Sequence, residues 1–113
     1  MKTIAALLLL PLVTLAEENA ADLYHRAVWL EQAEGKPEEA EKLYRKVLAD
    51  HAGAPEAPRA LLGLIRIRSA RGEDVKELTK LLEARYPEAK PQTERARRIA
   101  GAADRGSSSS TSS

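Results

Sequence analysis

A glycine turn followed by an amphipathic helix occurs twice in this chain, and this repeat constrains the fold more than any other feature. Gly35 precedes a pattern that starts at Pro37 and places apolar residues at three- and four-residue spacing, as one face of a helix requires. Gly72 precedes a weaker copy of this pattern, 37 residues further along. A period of this length with two helices per unit is typical of an α-solenoid.

Apolar periodicity and helix breakers together predict five helices. Asn19 or Asp22 caps the first, and Pro37 opens the second at a position that needs no amide hydrogen. The third covers about residues 58–70, with an apolar arc wide enough to be buried on two sides. The fourth follows the second glycine turn. The last, about residues 91–103, has the narrow stripe of a terminal capping helix. We therefore expect an all-α fold of two helical hairpins and a C-terminal capping helix.

The two ends of the chain have compositions of their own. Residues 1–16 join a basic start, an apolar run and small residues before a cleavage point after Ala16, as in a secretory signal peptide. An apolar run of about 13 residues spans only ~20 Å, against the ~30 Å of a bilayer's hydrocarbon core. We expect export to the periplasm or beyond the cell by the general secretion route, with an uncleaved anchor or a misread cytoplasmic start as alternatives. Residues 17–104 form the folded domain, and the Ser-rich residues 105–113 are expected to be disordered.

Formal charge is divided along the chain. Residues 17–57 carry five bases and ten acids, a net charge of −5, whereas residues 58–113 carry twelve bases and seven acids, a net charge of +5. This division has two interpretations. In the first, the opposite charges help adjacent repeats to stack within one molecule. In the second, they drive head-to-tail association between molecules.

The repeat resembles the tetratricopeptide repeat family over about residues 20–103. The matching positions are Gly35, Glu39, Ala40, Tyr44, Val47, Leu48 and Pro55 in the first unit, and Gly72, Leu78, Leu81, Leu82, Tyr86 and Pro87 in the second. Departures include Glu31, at a position where a bulky apolar residue is common in the family. The resemblance implies a non-catalytic scaffold for protein interactions, and secreted bacterial members are the nearest comparison.

The same resemblance implies that an extended peptide binds the concave side, on the first helix of each hairpin. On the first helix, Asp22, His25 and Trp29 share the face opposite the buried stripe. On the third helix, Arg59 and Arg66 lie on the equivalent face. We expect a groove for an extended acidic or C-terminal peptide segment, anchored by Trp29, Arg59 and Arg66. In the alternative, Trp29 is covered by its own chain and the arginines are solvated.

Residue types needed for catalysis are sparse. The chain has two histidines, no Cys and no His-Glu-x-x-His pattern, and Ser69 is its only serine before the tail. The absence of Cys also excludes disulfides and thiolate metal sites. We expect the basic cluster of Arg95, Arg97 and Arg98 to lie on a solvated helix face and not to form a site for nucleic acid or lipid. We expect no enzymatic activity, no cofactor and no metal, and a protein or peptide partner. A self-associating structural protein of the cell envelope is the alternative.

Overall fold

The computed structural model describes the backbone of residues 19–112 and the side chains of residues 19–102. Within these residues the regular structure is entirely helical, which confirms the all-α expectation. The helices are α1 (Ala20–Gln32), α2 (Pro37–Asp50), α3 (Glu56–Ala70), α4 (Lys76–Arg85) and α5 (Lys90–Ser112). The predicted signal peptide, residues 1–16, lies outside the described residues. None of the described helices combines the length and the hydropathy needed to cross a membrane.

Local sequence signals explain where the first two helices begin and end. Asn19 is the cap of α1, because its side-chain oxygen accepts a hydrogen bond from the backbone N–H of Asp22 at 2.8 Å. Gly35 has φ +66° and Gly72 has φ +83°, so both glycine turns use the left-handed backbone that other residues rarely adopt. Pro37 is the first residue of α2, as predicted.

Two helix boundaries differ from the prediction. α3 begins at Glu56 instead of Pro58, because the amides of a helix's first turn have no intrahelical acceptor and a proline there breaks no bond. α5 begins at Lys90 and reaches Ser112, so it continues past residue 103. The side chains of residues 105–113 are outside the described part, and their disorder stays a prediction.

α3 is the central helix of the domain. It packs against α1, α2, α4 and α5, whereas α1 otherwise contacts only α2, and α4 otherwise contacts only α5, among the described helices. This position explains the wide apolar arc of α3 and confirms that it is buried on two sides. Its buried residues are Ala57, Ala60, Leu61, Leu62, Gly63, Leu64, Ile65 and Ile67.

Tyr44 of α2 packs directly over Gly63 of α3. The Tyr44 side chain is fully buried, and its ring lies so close that a Cβ built on Gly63 would meet ring carbons at 2.5 Å. Real Cβ atoms do not approach ring atoms to that distance. A glycine is therefore required at residue 63 for α2 and α3 to pack at this spacing.

Glu41 joins α2 to the carboxyl end of α3 and to the turn that follows it. Its carboxylate lies 2.7 Å from Arg45, 3.0 Å from Arg71 and 3.3 Å from Arg68. Burial alone would raise the pKa of Glu41, but the charge of Arg45 and the hydrogen bonds from Arg71 and Arg68 outweigh it and hold the pKa below its ordinary value.

Gly63→Ala tests the packing of Tyr44. We expect a loss of about 1–3 kcal/mol in the free energy of unfolding, because the new methyl group displaces a fully buried ring. Urea denaturation measures the change. Gly53→Ala is the matched control, since a Cβ at Gly53 has no atom within 4 Å. Equal stability of Gly63→Ala and wild type would contradict the packing argument.

Glu41→Gln tests the arginine cluster. A depressed pKa stabilises the fold above the unfolded-state value of 4.5, and this contribution is lost as the pH falls through the lower folded-state value. The variant should be less stable at neutral pH by about 1–3 kcal/mol, and this deficit should shrink below pH 4.5. Thermal melts from pH 7 to 3 measure this. Glu39→Gln is the matched control, because Glu39 is an exposed neighbour on α2 outside the arginine cluster.

Candidate functional site

A polar network connects α1, α2 and α3 beside the buried Tyr44 ring. The Tyr44 hydroxyl donates a hydrogen bond to Glu31 Oε1 at 2.7 Å. Arg66 donates from Nε to Glu31 Oε2 and from Nη2 to Glu31 Oε1, each at 3.0 Å. The carboxylate of Glu31 thus accepts three hydrogen bonds from two other helices, in the two-point geometry typical of strong arginine–carboxylate pairs.

The network shifts the ionisation of its members. Burial and the hydrogen bond to Glu31 raise the pKa of Tyr44 well above its usual value, since a tyrosinate would be desolvated and would face a carboxylate. Burial would lower the pKa of Arg66, but the hydrogen bonds and charge of Glu31 raise it overall. The tyrosine therefore remains a neutral donor and the arginine remains charged at any physiological pH.

A groove of about 780 Å³ opens next to this network, between α1, α3 and the first turns of α5. Tyr24 and Leu62 supply apolar surface, and the remaining lining is mostly basic. The lining residues are Tyr24, Arg59, Leu62, Arg66, Lys90, Pro91, Gln92, Glu94, Arg95 and Arg98. We call this cavity the basic groove.

The charges of the basic groove are only partly compensated. Glu31 pairs with Arg66 at 3.0 Å, and Glu94 lies 3.7 Å from Arg98. Arg59, Lys90 and Arg95 are different: none of them forms a hydrogen bond or ion pair with another side chain of residues 19–102. The groove therefore attracts anions, and guanidinium groups are well suited to bind carboxylates there.

The structure brings together two of the five predicted site residues. Arg59 and Arg66 both line the basic groove. Trp29 does not line it, although its side chain is 60% exposed rather than covered; its Nε1 donates a hydrogen bond to Glu34 Oε2 at 3.0 Å. Asp22 and His25 are exposed and also lie outside the groove lining. Binding roles for these three residues stay predictions.

Sequence reasoning missed several residues of the groove. Tyr24 of α1 is half-buried, with its ring centroid 6.0 Å from that of Tyr44, and it lines the groove. The sequence predicts a solvated helix face for Arg95 and Arg98, whereas both line the groove. Their spacing of three places both on one side of a helix, which was the available signal. The docking of α5 on α3 was the missing information.

The groove lining offers basic and apolar side chains for binding. Its residues include no Ser, Cys or His. Throughout the described part of the chain, no three His, Cys, Asp or Glu side chains are grouped so that they could hold a metal ion. The arrangement is suited to recognising an anionic ligand with some apolar character.

No protein-family model, no curated protein and no solved structure matches this chain. A function has to be inferred from the geometry of the groove, and the resemblance to tetratricopeptide repeats stays a prediction.

Tyr44→Phe tests the polar network. The variant keeps the ring over Gly63 but removes the donor to Glu31, so we expect a loss of about 0.5–2 kcal/mol in unfolding free energy near pH 7. Because the folded-state pKa is raised, this contribution is fully present below the unfolded-state value of 10.0 and is lost as the pH rises beyond it. The gap between variant and wild type should therefore narrow above pH 10.

Denaturation curves at pH 7 and above pH 10 measure this gap. Tyr24→Phe is the control, because no hydrogen bond from the Tyr24 hydroxyl is found among the described residues. A gap that is constant across the pH range would argue against the assigned hydrogen bond.

Proposed function

We propose that the protein is an exported, non-catalytic interaction module that binds an extended acidic or C-terminal peptide segment in the basic groove. One observation carries this proposal. The groove is lined by five basic side chains and one acidic side chain, and three of the bases have no partner among the described side chains. A peptide rich in carboxylates supplies the missing partners.

The roles of individual residues follow from their contacts. Arg59 and Arg95 are exposed, so each is able to pair with a carboxylate of the peptide without leaving another group unsatisfied. Tyr24 is held beside the Tyr44 ring and offers a rigid flat surface to an apolar side chain. Arg66 is fixed by Glu31 and contributes mainly to the shape of the groove wall.

The packing of the helices supports a solenoid of two tetratricopeptide-like hairpins and a capping helix. α1 contacts α2 and α3, and α3 contacts α4 and α5, so the pairs of helices in contact repeat with a shift of two helices, although the first hairpin is packed more extensively than the second. Such translation of one contact pattern is expected of stacked hairpins. In this arrangement the groove lies along the first helices of successive units. The signal-like residues 1–16 support a role in the cell envelope or outside the cell.

Self-association through acidic and basic ends is the second candidate function. The observation in its favour is the opposite net charge of residues 17–57 and 58–113. Glu38 and Glu39 of α2 are exposed and have the charge that the basic groove of another molecule would attract. Head-to-tail contacts of this kind generate open chains of molecules, and salt would dissociate them.

The peptide proposal is tested with a short fluorescein-labelled glutamate peptide and a glutamine peptide of equal length. Fluorescence anisotropy should show binding of the glutamate peptide only, weakening as salt increases. Arg59→Gln and Arg95→Gln should each reduce the affinity about tenfold, since each removes a charge-assisted contact. Arg85→Gln is the matched control, because Arg85 is an exposed base of α4 outside the groove lining.

Two results would contradict the proposal. One is equal binding of the two peptides. The other is a glutamate affinity that Arg85→Gln lowers as much as Arg59→Gln does. Light scattering of the protein alone tests the second candidate function, self-association. A salt-sensitive oligomer would support it, and a monomer at every salt concentration would exclude it.

A further inference from the structure

We infer that Glu31 sets the affinity of the basic groove for acidic ligands, because it occupies Arg66 in the manner of a ligand carboxylate. This inference depends on the proposed function of the groove. It assigns to Glu31 a positioning and specificity-determining role.

Glu31 and Arg66 form a two-point ion pair at the wall of the basic groove. Both oxygens of Glu31 are used, at 3.0 Å from Arg66 Nε and at 3.0 Å from Arg66 Nη2, and the side chains are 15% and 27% exposed. This two-point pairing is what an incoming carboxylate would form with a free arginine. The Tyr44 hydroxyl, 2.7 Å from Glu31 Oε1, holds the carboxylate in place.

The pair changes the electrostatics of the groove. Arg66 lines the groove, but its charge is cancelled by a carboxylate within hydrogen-bond distance. Ligand carboxylates are therefore directed to the unpaired bases Arg59, Lys90 and Arg95. The affinity for acidic ligands is lower than it would be if all five basic side chains of the groove were unpaired. Glu31 acts through Arg66 and does not itself contact the ligand.

Glu31→Gln separates the charge of Glu31 from its hydrogen bond to Tyr44. The amide oxygen still accepts from the Tyr44 hydroxyl, but the amide nitrogen is a donor and cannot pair with the Arg66 donors. Arg66 then presents an uncompensated charge to the groove. We expect about three- to tenfold tighter binding of the glutamate peptide, with a steeper dependence on salt.

The opposite substitution should have the opposite effect. Arg66→Gln leaves the negative charge of Glu31 at the groove wall, so binding of the glutamate peptide should weaken about three- to tenfold. In the Glu31→Gln/Arg66→Gln double variant both charges are absent, and the affinity should return close to that of wild type. A purely structural role for Glu31 would not raise the affinity in any variant.

The experiment measures glutamate-peptide affinity and thermal stability for the full chain and for these three variants. Glu34→Gln is the matched control: it removes the same charge near the end of α1, contacts Trp29, and lies outside the groove lining, so it should leave the affinity unchanged. If Glu31→Gln does not fold, a comparison of the double variant with Arg66→Gln tests the same role of Glu31. The double variant must then bind the glutamate peptide more tightly than Arg66→Gln does.

The outcomes distinguish this inference from the proposed function. If wild type binds the glutamate peptide and Glu31→Gln binds it no more tightly, the role of Glu31 is overturned while the peptide groove stands. An increase shared equally by Glu34→Gln would also overturn it. If wild type does not bind the glutamate peptide, the proposed function itself fails.

Discussion

The packing of Tyr44 against Gly63 is the contact on which the rest of this structure depends. A fully buried ring lies where any larger residue at position 63 would collide with it, so α2 and α3 meet at a spacing that only glycine permits. The hydroxyl of the same tyrosine reaches Glu31 of α1, and Glu31 in turn holds Arg66 of α3. One side chain thus fixes three helices, by its ring on one side and by its hydroxyl on the other.

The division of charge along the chain has a role within the molecule. Glu31 and Glu41 belong to the acidic part, and both pair with arginines of the basic part: Glu31 with Arg66, and Glu41 with Arg68 and Arg71. These ion pairs connect α1 and α2 to the carboxyl-terminal half of α3 and the turn after it. They support the interpretation in which the opposite charges act within one molecule. Of the five basic residues that line the groove, Glu31 and Glu41 pair only with Arg66.

Much of the fold could be predicted from the sequence, because its determinants are local. Glycines with left-handed backbone, a proline at a helix start and regular apolar spacing all act within a few residues. The candidate site was less accessible. Arg59 and Arg66 were identified from their shared helix face, but the carboxylate that neutralises Arg66 is 35 residues away in sequence. Glu31 was visible only as a departure from a familiar pattern, and its partners were not.

The other unpredicted residues of the groove have the same physical cause. Arg95 and Arg98 reach it because α5 docks on α3, and a contact between separate helices leaves no periodic signal in either. Trp29, the most conspicuous exposed residue of the sequence, lies outside the groove lining. A large aromatic residue attracts attention in a sequence, whereas a half-buried tyrosine such as Tyr24 is read as part of the core.

We propose that the groove between α1, α3 and α5 binds acidic peptides. The most direct test of this proposal is a titration of the isotope-labelled protein with a glutamate peptide, followed by two-dimensional NMR of backbone amides and arginine side chains. We expect saturable shifts to concentrate at Tyr24, Arg59, Leu62 and Arg95, with small changes on α4. Saturable shifts confined to α4, or to the face of α1 that carries Trp29, would contradict it.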